Sequence, residues 1–384
     1  MEKYRVLITY ATYGSGHKTV ANYIYDYLQK HSNYEIKMID LMDYENIIGL
    51  ISKKAFEQNF KHRTSSAIFS IIYELFDFKT MTLPYKSVTK SVFKNKKLQE
   101  DIVSFNPDLL ISTHFFGNII LGMLNRKKLT NTKIISIITD YKSHEMWIKD
   151  EKSIDALIVS NDIVKNDLIS KGISGNKIYS YGIPISETFT SIESPLKIKE
   201  KYHVNNGKKT FLFFAGGSMG SSFSYKYFKR LLEEEYDINI IYVCGKNEKL
   251  KKKAEQLVSK NNYQYVHPIG FSNEVNNLLN ICDVVITKPG GLSITESLEL
   301  KKPMLLIPGN GGNENYNARF VCKNCYGINC RSPRKLAKTV GKLLKRKHII
   351  LNMKRKLNTY SDNSSIEKIY KLSKKMLEHK SNKQ

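Results

Sequence analysis

The feature that most constrains this chain is a rhythm that runs through it twice. Short, almost wholly apolar runs alternate with longer segments of helical period. The first block holds RVLITY at 5–10, LLIST at 109–113, KIISIIT at 133–139 and ALIVS at 156–160. The second holds FLFF at 211–214, INIIYV at 238–243, Tyr265-Val266, VVI at 284–286 and MLLI at 304–307. Runs this short and this apolar suit parallel strands covered by helices on both faces. Two such blocks predict an α/β chain of two Rossmann-like, doubly wound domains facing a cleft. A length of 384 residues suits two domains. We expect the first at 1–185 and the second at 186–384, with the linker inside the polar stretch 185–209 and basic helices after Pro333.

Composition narrows the class. Hydrophobic residues make up 41%, enough for two cores. The formal net charge of +25 predicts attraction to polyanions: nucleic acid, an anionic leaflet or phosphorylated substrates. A lysine-, asparagine- and isoleucine-rich composition can also reflect base composition alone, so charge does not choose among them. The five cysteines are an odd number and do not read as a disulfide framework. Cys322, Cys325 and Cys330 resemble half a zinc site without a fourth ligand at a standard spacing. No apolar run reaches the roughly 18 residues that cross a bilayer, and no signal peptide is visible, so we expect a cytoplasmic chain that meets membranes peripherally.

Four motifs fall just after strands, where open parallel sheets bind ligands. The first is Thr12-Tyr13-Gly14-Ser15-Gly16-His17-Lys18. Its glycines allow a tight turn and its helix start offers free N–H groups. Thr19 stands where a dinucleotide fingerprint has its third small residue, so the turn is not a standard NAD loop. His17 in the first helical turn can accept a proton from a hydroxyl; taken alone, it reads first as a capping or structural histidine. The second is Thr287-Lys288-Pro289-Gly290-Gly291-Leu292-Ser293-Ile294-Thr295-Glu296. A glycine turn at a helix start suits a diphosphate, and Glu296 one turn on suits ribose hydroxyls. The bland alternative is a plain strand–helix connection. The third, from Pro308 to Ala318, clusters Asn313, Glu314 and Asn317, whose amides and carboxylate suit sugar hydroxyls, or make a solvated loop. The fourth, Thr139-Asp140-Tyr141-Lys142-Ser143-His144-Glu145-Met146-Trp147, holds the only tryptophan, which is either an aromatic platform or a core residue.

Taken in order, these pieces resemble one family: the monogalactosyldiacylglycerol synthases and processive diacylglycerol glucosyltransferases, related to the N-acetylglucosaminyl transferase of lipid II synthesis. G-x-G-H, T-D-Y-x-x-H-x-x-W, G-I-P, G-G-S-x-G, V-C-G-K-N, K-P-G-G-L and G-x-N-E-x-x-N follow one another from Gly14 to Asn317. The resemblance implies a GT-B fold with an N-terminal acceptor domain and a C-terminal donor domain. It implies that Gly216, Gly217 and Gly220 lie near the donor phosphates and that Gly245 and Phe271 flank the nucleobase. Gly290, Gly291, Leu292 and Ser293 would hold the diphosphate with Lys288, and Glu296 the ribose. Asn313, Glu314 and Asn317 would read the sugar, His17 would be the acceptor-side base, and Gly16, His144 and Trp147 would line the acceptor site. Relatives often carry glutamine where this chain has Asn313, which leaves the hexose open.

The expected reaction is therefore an inverting transfer of a hexose, glucose foremost, from a UDP-sugar to diacylglycerol or a glycosyl-diacylglycerol, on the cytoplasmic face of the membrane. No D-x-D occurs, so neither a metal nor another cofactor is expected. Galactosyl or N-acetylglucosaminyl transfer, and a UDP-sugar epimerase of the same fold, are the alternatives. A nucleic-acid partner is not expected, since no recognition motif accompanies the charge. Anionic lipid is the expected surface, met by residues 53–97. There Ser66, Ser70, Glu74 and Asp77 form a narrow polar stripe among Ile68, Phe69, Ile72 and Phe76, flanked by lysines.

Overall fold

Two six-stranded, all-parallel sheets form the frame. The computed structural model describes residues 3–12, 15–44, 95–216, 220, 222–309, 312–360 and 364–381. It divides into two units: Met1–Ser186 with Asn310–Asn313 and Asn363–Gln384, and Glu187–Gly309 with Glu314–Asp362. Elements are numbered over the described residues.

In the first unit the strands are β1 (Arg5–Tyr10), β2 (Glu35–Asp40), β3 (Leu109–Ser112), β4 (Lys133–Ile137), β5 (Ala156–Ile158) and β6 (Ile178–Tyr179). They lie in the order β2-β1-β3-β4-β5-β6. Helix α1 (Gly16–His31) follows β1 and buries Val20, Ala21, Ile24, Tyr27 and Leu28, one face at helical spacing. Helices α2 (Lys96–Phe105), α3 (Phe115–Arg126) and α4 (Asp162–Ser170) follow. α3 is buried along most of its length because it crosses the sheet at Gly117, where any Cβ would strike the Thr9 and Ser112 side chains. The direction of the connections reverses between β1 and β3, whose registers pair Val6 with Leu109 and Thr9 with Ser112. This is the topological switch point, and the crevice outside it is where ligands bind in such sheets.

The second unit begins with the short α5 (Pro195–Lys201). Its strands are β7 (Lys209–Phe214), β8 (Ile238–Val243), β9 (Val266–Ile269), β10 (Val284–Thr287), β11 (Met304–Leu306) and β12 (Gly327–Asn329). Their order, β12-β11-β10-β7-β8-β9, is the dinucleotide-binding arrangement, with its switch point between β7 and β10. The helices are α6 (Ser222–Leu232), α7 (Glu248–Lys260), α8 (Val275–Ile281), α9 (Gly291–Glu299), α10 (Asn313–Lys323), α11 (Pro333–Lys345) and α12 (Lys347–Leu357). Phe228 and Tyr242 stack in this core with Phe213 edge to face against both, and the Tyr242 hydroxyl shares a 2.6 Å hydrogen bond with Ser224.

One boundary differs from expectation. The second domain was expected to run to 384, but the last helix, α13 (Ser365–Ser381), belongs to the first unit. Its buried face, Ile366, Ile369 and Leu377, is amphipathic like that of α11, so local sequence does not say which core it covers. Long-range contacts decide. The Ser365 hydroxyl donates to the Gly182 carbonyl at 2.7 Å, and the Tyr370 hydroxyl donates to the His31 carbonyl at 2.8 Å.

Candidate active site

The first unit gathers histidines at its switch point. His17 stands in the first turn of α1, after β1, and His114 follows β3 as the N-cap of α3. Thr139 follows β4, and His144 caps the single turn Glu145–Trp147. His17 and His114 meet edge to face, with ring centroids 5.0 Å apart. A relay of hydroxyls fixes the loop: Thr9 donates to Ser112 at 2.9 Å, and Ser112 donates to the His114 carbonyl at 2.6 Å.

Hydrogen bonding assigns different tautomers to these rings. His17 Nδ1 lies 2.6 Å from the Thr113 carbonyl oxygen, which can only accept, so Nδ1 carries the proton. The Thr139 hydroxyl oxygen, 3.1 Å from the same nitrogen, serves as a second acceptor. Nε2 of His17 is therefore a bare lone pair, the form a general base needs. His114 and His144 are reversed. Their Nδ1 atoms accept from the backbone N–H groups of Phe116 at 3.4 Å and Met146 at 3.2 Å, so in their neutral forms the proton is on Nε2.

Electrostatics agree. The His17 residue is half-buried but its ring lies among Thr113, His114 and Thr139, and desolvation pushes its pKa from 6.5 down to about 4 against the pull of the Thr113 carbonyl. Burial, then the neighbouring His17 and His144, holds His114 well below the ordinary histidine range. Among the described residues, nothing lies within 4 Å of a Cβ built on Gly16. His144 and Trp147 are placed otherwise than expected. Both are buried, and Trp147 is only 3% exposed. The indole packs behind Phe115 and His114 and presents no platform to a sugar or lipid. Asn313, grouped with this unit, donates to the Asp140 carboxylate at 2.7 Å.

The second unit builds its switch point from glycines and one half-buried lysine. Gly216 ends the turn after β7 at φ +113°, and a Cβ there would lie 3.2 Å from Lys288 Cε. The lysine side chain thus runs beneath the glycine, and burial lowers its pKa while the Glu314 carboxylate pulls the other way. Pro289 and Gly290 then lead into α9, and no atom of the described residues lies within 4 Å of a Cβ built on Gly290. Free space over a helix N-terminus with an ammonium at its side is a site for an anion such as a diphosphate.

Around this cradle, Gly220 at φ +63° would drive a Cβ into the Cys244 carbonyl, so only glycine fits. Gly245, at φ +62°, ends the β8 turn, and Phe271 beyond β9 is 50% exposed with Lys246 Nζ 5.3 Å over its ring. Gly291 and Ser293 stand in the first turn of α9, where Gly291 is buried, while Leu292 and Ser293 are partly exposed. Glu296 is 7% exposed one turn further. Glu314 lies against Gly309, whose Cβ would overlap the carboxylate. Asn317 is fully buried and donates to the Pro289 carbonyl at 3.0 Å, so it braces the Lys288–Gly290 turn where a sugar-reading role was expected. Gly217 lies outside the described residues, as do Tyr13 and Gly14.

Sequence reasoning missed His114 and Thr113. The signal was available: a histidine directly after the apolar run LLIST, on the strand beside β1.

Comparison with known proteins finds matches along both halves of the chain. Residues 17–185 match the family model described as monogalactosyldiacylglycerol (MGDG) synthase, and residues 211–375 match the glycosyltransferase family 28 C-terminal domain. The chain is 27% identical over 367 residues to the processive diacylglycerol beta-glucosyltransferase of Bacillus licheniformis, covering 95% of this chain and 93% of that one. It is 27% identical over 356 residues to the protein of the same name from Bacillus subtilis, covering 92% and 90%. Among solved structures, UDP-GlcNAc 2-epimerase from Neisseria meningitidis superposes with a TM-score of 0.64 at 14% identity, covering 97% of this chain and 100% of that chain. MurG of Acinetobacter baumannii gives 0.60 at 13% identity, covering 97% and 100%. At such identities the superpositions speak for the GT-B fold alone.

Proposed function

We propose, for a chain that belongs to the monogalactosyldiacylglycerol synthase and family 28 glycosyltransferases, that it transfers glucose from UDP-glucose to diacylglycerol or a glycosyl-diacylglycerol with inversion at the anomeric carbon. The observation that carries the mechanism is the Nδ1–H tautomer of His17, which leaves Nε2 free to take a proton. As the acceptor hydroxyl oxygen attacks the anomeric carbon, its proton passes to Nε2 and the bond from that carbon to the UDP oxygen breaks. The departing charge is stabilised by the N-terminus of α9 and the half-buried Lys288 side chain. Glu296 accepts hydrogen bonds from the ribose, Phe271 and Gly245 flank the uracil, and Glu314 reads the hexose.

A base with a resting pKa of about 4 is neutral throughout the physiological range. Negative charge near an imidazole raises its pKa toward the value that suits proton transfer, so a bound anionic substrate would make His17 a stronger base. The names of the relatives support glucose as the sugar and diacylglycerol as the acceptor. No helix among the described residues is long and apolar enough to cross a membrane, and we read the encounter with lipid as peripheral, on the cytoplasmic face.

The test is a transfer assay with diacylglycerol vesicles and radiolabelled UDP-glucose or UDP-galactose. Label from UDP-glucose should enter the lipid phase as the β-glycoside. Label entering only from UDP-galactose would reassign the donor, and free sugar released without lipid product would favour an epimerase.

A further inference from the structure

Residues 331–360 carry eleven lysines and arginines and no aspartate or glutamate, against 61 basic and 36 acidic residues in the whole chain. Helices α11 and α12 explain where that charge goes. Their apolar faces, with Leu336, Val340 and Leu343 on one and Ile350, Met353 and Leu357 on the other, are buried in the second unit's core. This anchoring turns Arg334, Lys338, Lys342 and Lys345 of α11 outward at spacings of three and four, and Lys347 and Arg355 of α12 likewise. None of these six takes part in an ion pair among the described residues, whereas Lys229 and Arg230 of the adjacent α6 pair with Glu233 and Glu234. Between Lys347 and Arg355, one turn from each, Leu351 stands 54% exposed. At the start of α11 the face continues into a cavity of about 490 Å³ against α6. Lys226, Lys229, Arg230 and Arg334 line it, with Glu233 its one carboxylate.

We infer that this face of the second unit docks the protein on an anionic bilayer, with lipid phosphates along α11 and in the cavity and Leu351 in the acyl boundary. The choice of a bilayer rests in part on the proposed lipid acceptor. It rests independently on the face itself. A single-stranded nucleic-acid surface pairs its cations with exposed aromatic rings for base stacking; the exposed residues between 331 and 358 include no phenylalanine, tyrosine or tryptophan, and His348 is their one ring. An exposed leucine ringed by lysines is instead the pattern of an interfacial helix. The stretch 53–97 expected from sequence to dock lies, except for residues 95–97, outside the described residues; α11 and α12 offer a docking surface separate from it.

The experiment is flotation of the full chain with phosphatidylglycerol and with phosphatidylcholine vesicles. The parent should bind the anionic vesicles, weaken steeply as salt rises, and bind the neutral ones poorly. Each basic residue near an anionic surface is worth about fivefold in binding. The variant Lys338→Gln/Lys342→Gln/Lys345→Gln/Lys347→Gln should therefore lose on the order of a hundredfold or more, and Leu351→Ser several-fold. UDP affinity and thermal unfolding should stay unchanged, since these side chains face solvent. A quadruple variant that floats like its parent, or a parent indifferent to lipid charge, overturns the inference. So does an RNA affinity that the four substitutions abolish while vesicle binding persists. Transfer to detergent-dispersed diacylglycerol reports on the functional proposal separately: a protein that docks through this face yet moves no sugar would sink that proposal and leave this one standing.

Discussion

The two switch points share a backbone plan and differ in what they do with charge. Each lies where the direction of connections reverses beside a unit's first strand, and each has a glycine turn opening into a helix. The first encloses an imidazole until it is neutral, with its proton pinned to the Thr113 carbonyl. The second leaves space, among the described residues, over the α9 N-terminus and sets a half-buried lysine beside it. One is built to receive a proton and the other to receive an anion. Doubly wound topology supplies the crevice; the side chains at the strand ends decide its chemistry.

If the division of labour is real, substitutions should separate the two tasks. The largest effect belongs to His17→Ala. Turnover should fall by about 10²–10⁴-fold while UDP affinity measured by calorimetry stays at the parent value. Equal loss of both would merge the two sites and make His17 structural. Glu296→Ala is the converse. Loss of hydrogen bonds from a charged group costs about 1.5–3 kcal/mol, so UDP binding should weaken roughly 10- to 150-fold, and unchanged affinity in a folded variant would remove Glu296 from the donor site. Gly220→Ala sharpens the comparison at the backbone. A left-handed glycine packed on the Cys244 carbonyl should cost about 1–3 kcal/mol of stability, visible as a lowered Tm; an unchanged Tm would mean that the turn adjusts.

A smaller effect appears in acid. The folded-state pKa of His17 is depressed, so the unfolded chain holds more protons between pH 6.5 and 4. The stabilising contribution of neutral His17 is complete above pH 6.5 and is lost as pH falls toward 4. Denaturant midpoints of the parent should decline across that window, and His17→Gln should flatten the decline. Parallel slopes would show that the ring is not desolvated.

Much of this was legible beforehand because it is local. Buried central strands are apolar on both faces, and β1 and β8 begin and end where their sequences do. Edge strands are harder. Glu35–Asp40 is mostly half-exposed and reads EIKMID, without an apolar run, and Ile178–Tyr179 and Gly327–Asn329 are too short to show a period. The glycine turns announced the donor cradle, since steric need at Gly220 is written in residue type. The burial of Trp147, the bracing role of Asn317 and the place of the last helix are long-range outcomes. A tryptophan after a strand, an asparagine in a loop and an amphipathic helix each fit two environments, and only packing chooses. The tautomer of His17 is of the same kind, fixed by a carbonyl 96 residues away.

The central claim is that His17 waits as a neutral base with its proton on Nδ1. Nitrogen NMR of the ligand-free protein, with His17→Gln to assign the signal, reads both properties directly. The account predicts an Nδ1–H ring that stays neutral from pH 8 to pH 5 and titrates near the pKa of about 4. An Nε2–H tautomer, or a titration at the ordinary 6.5, would contradict it.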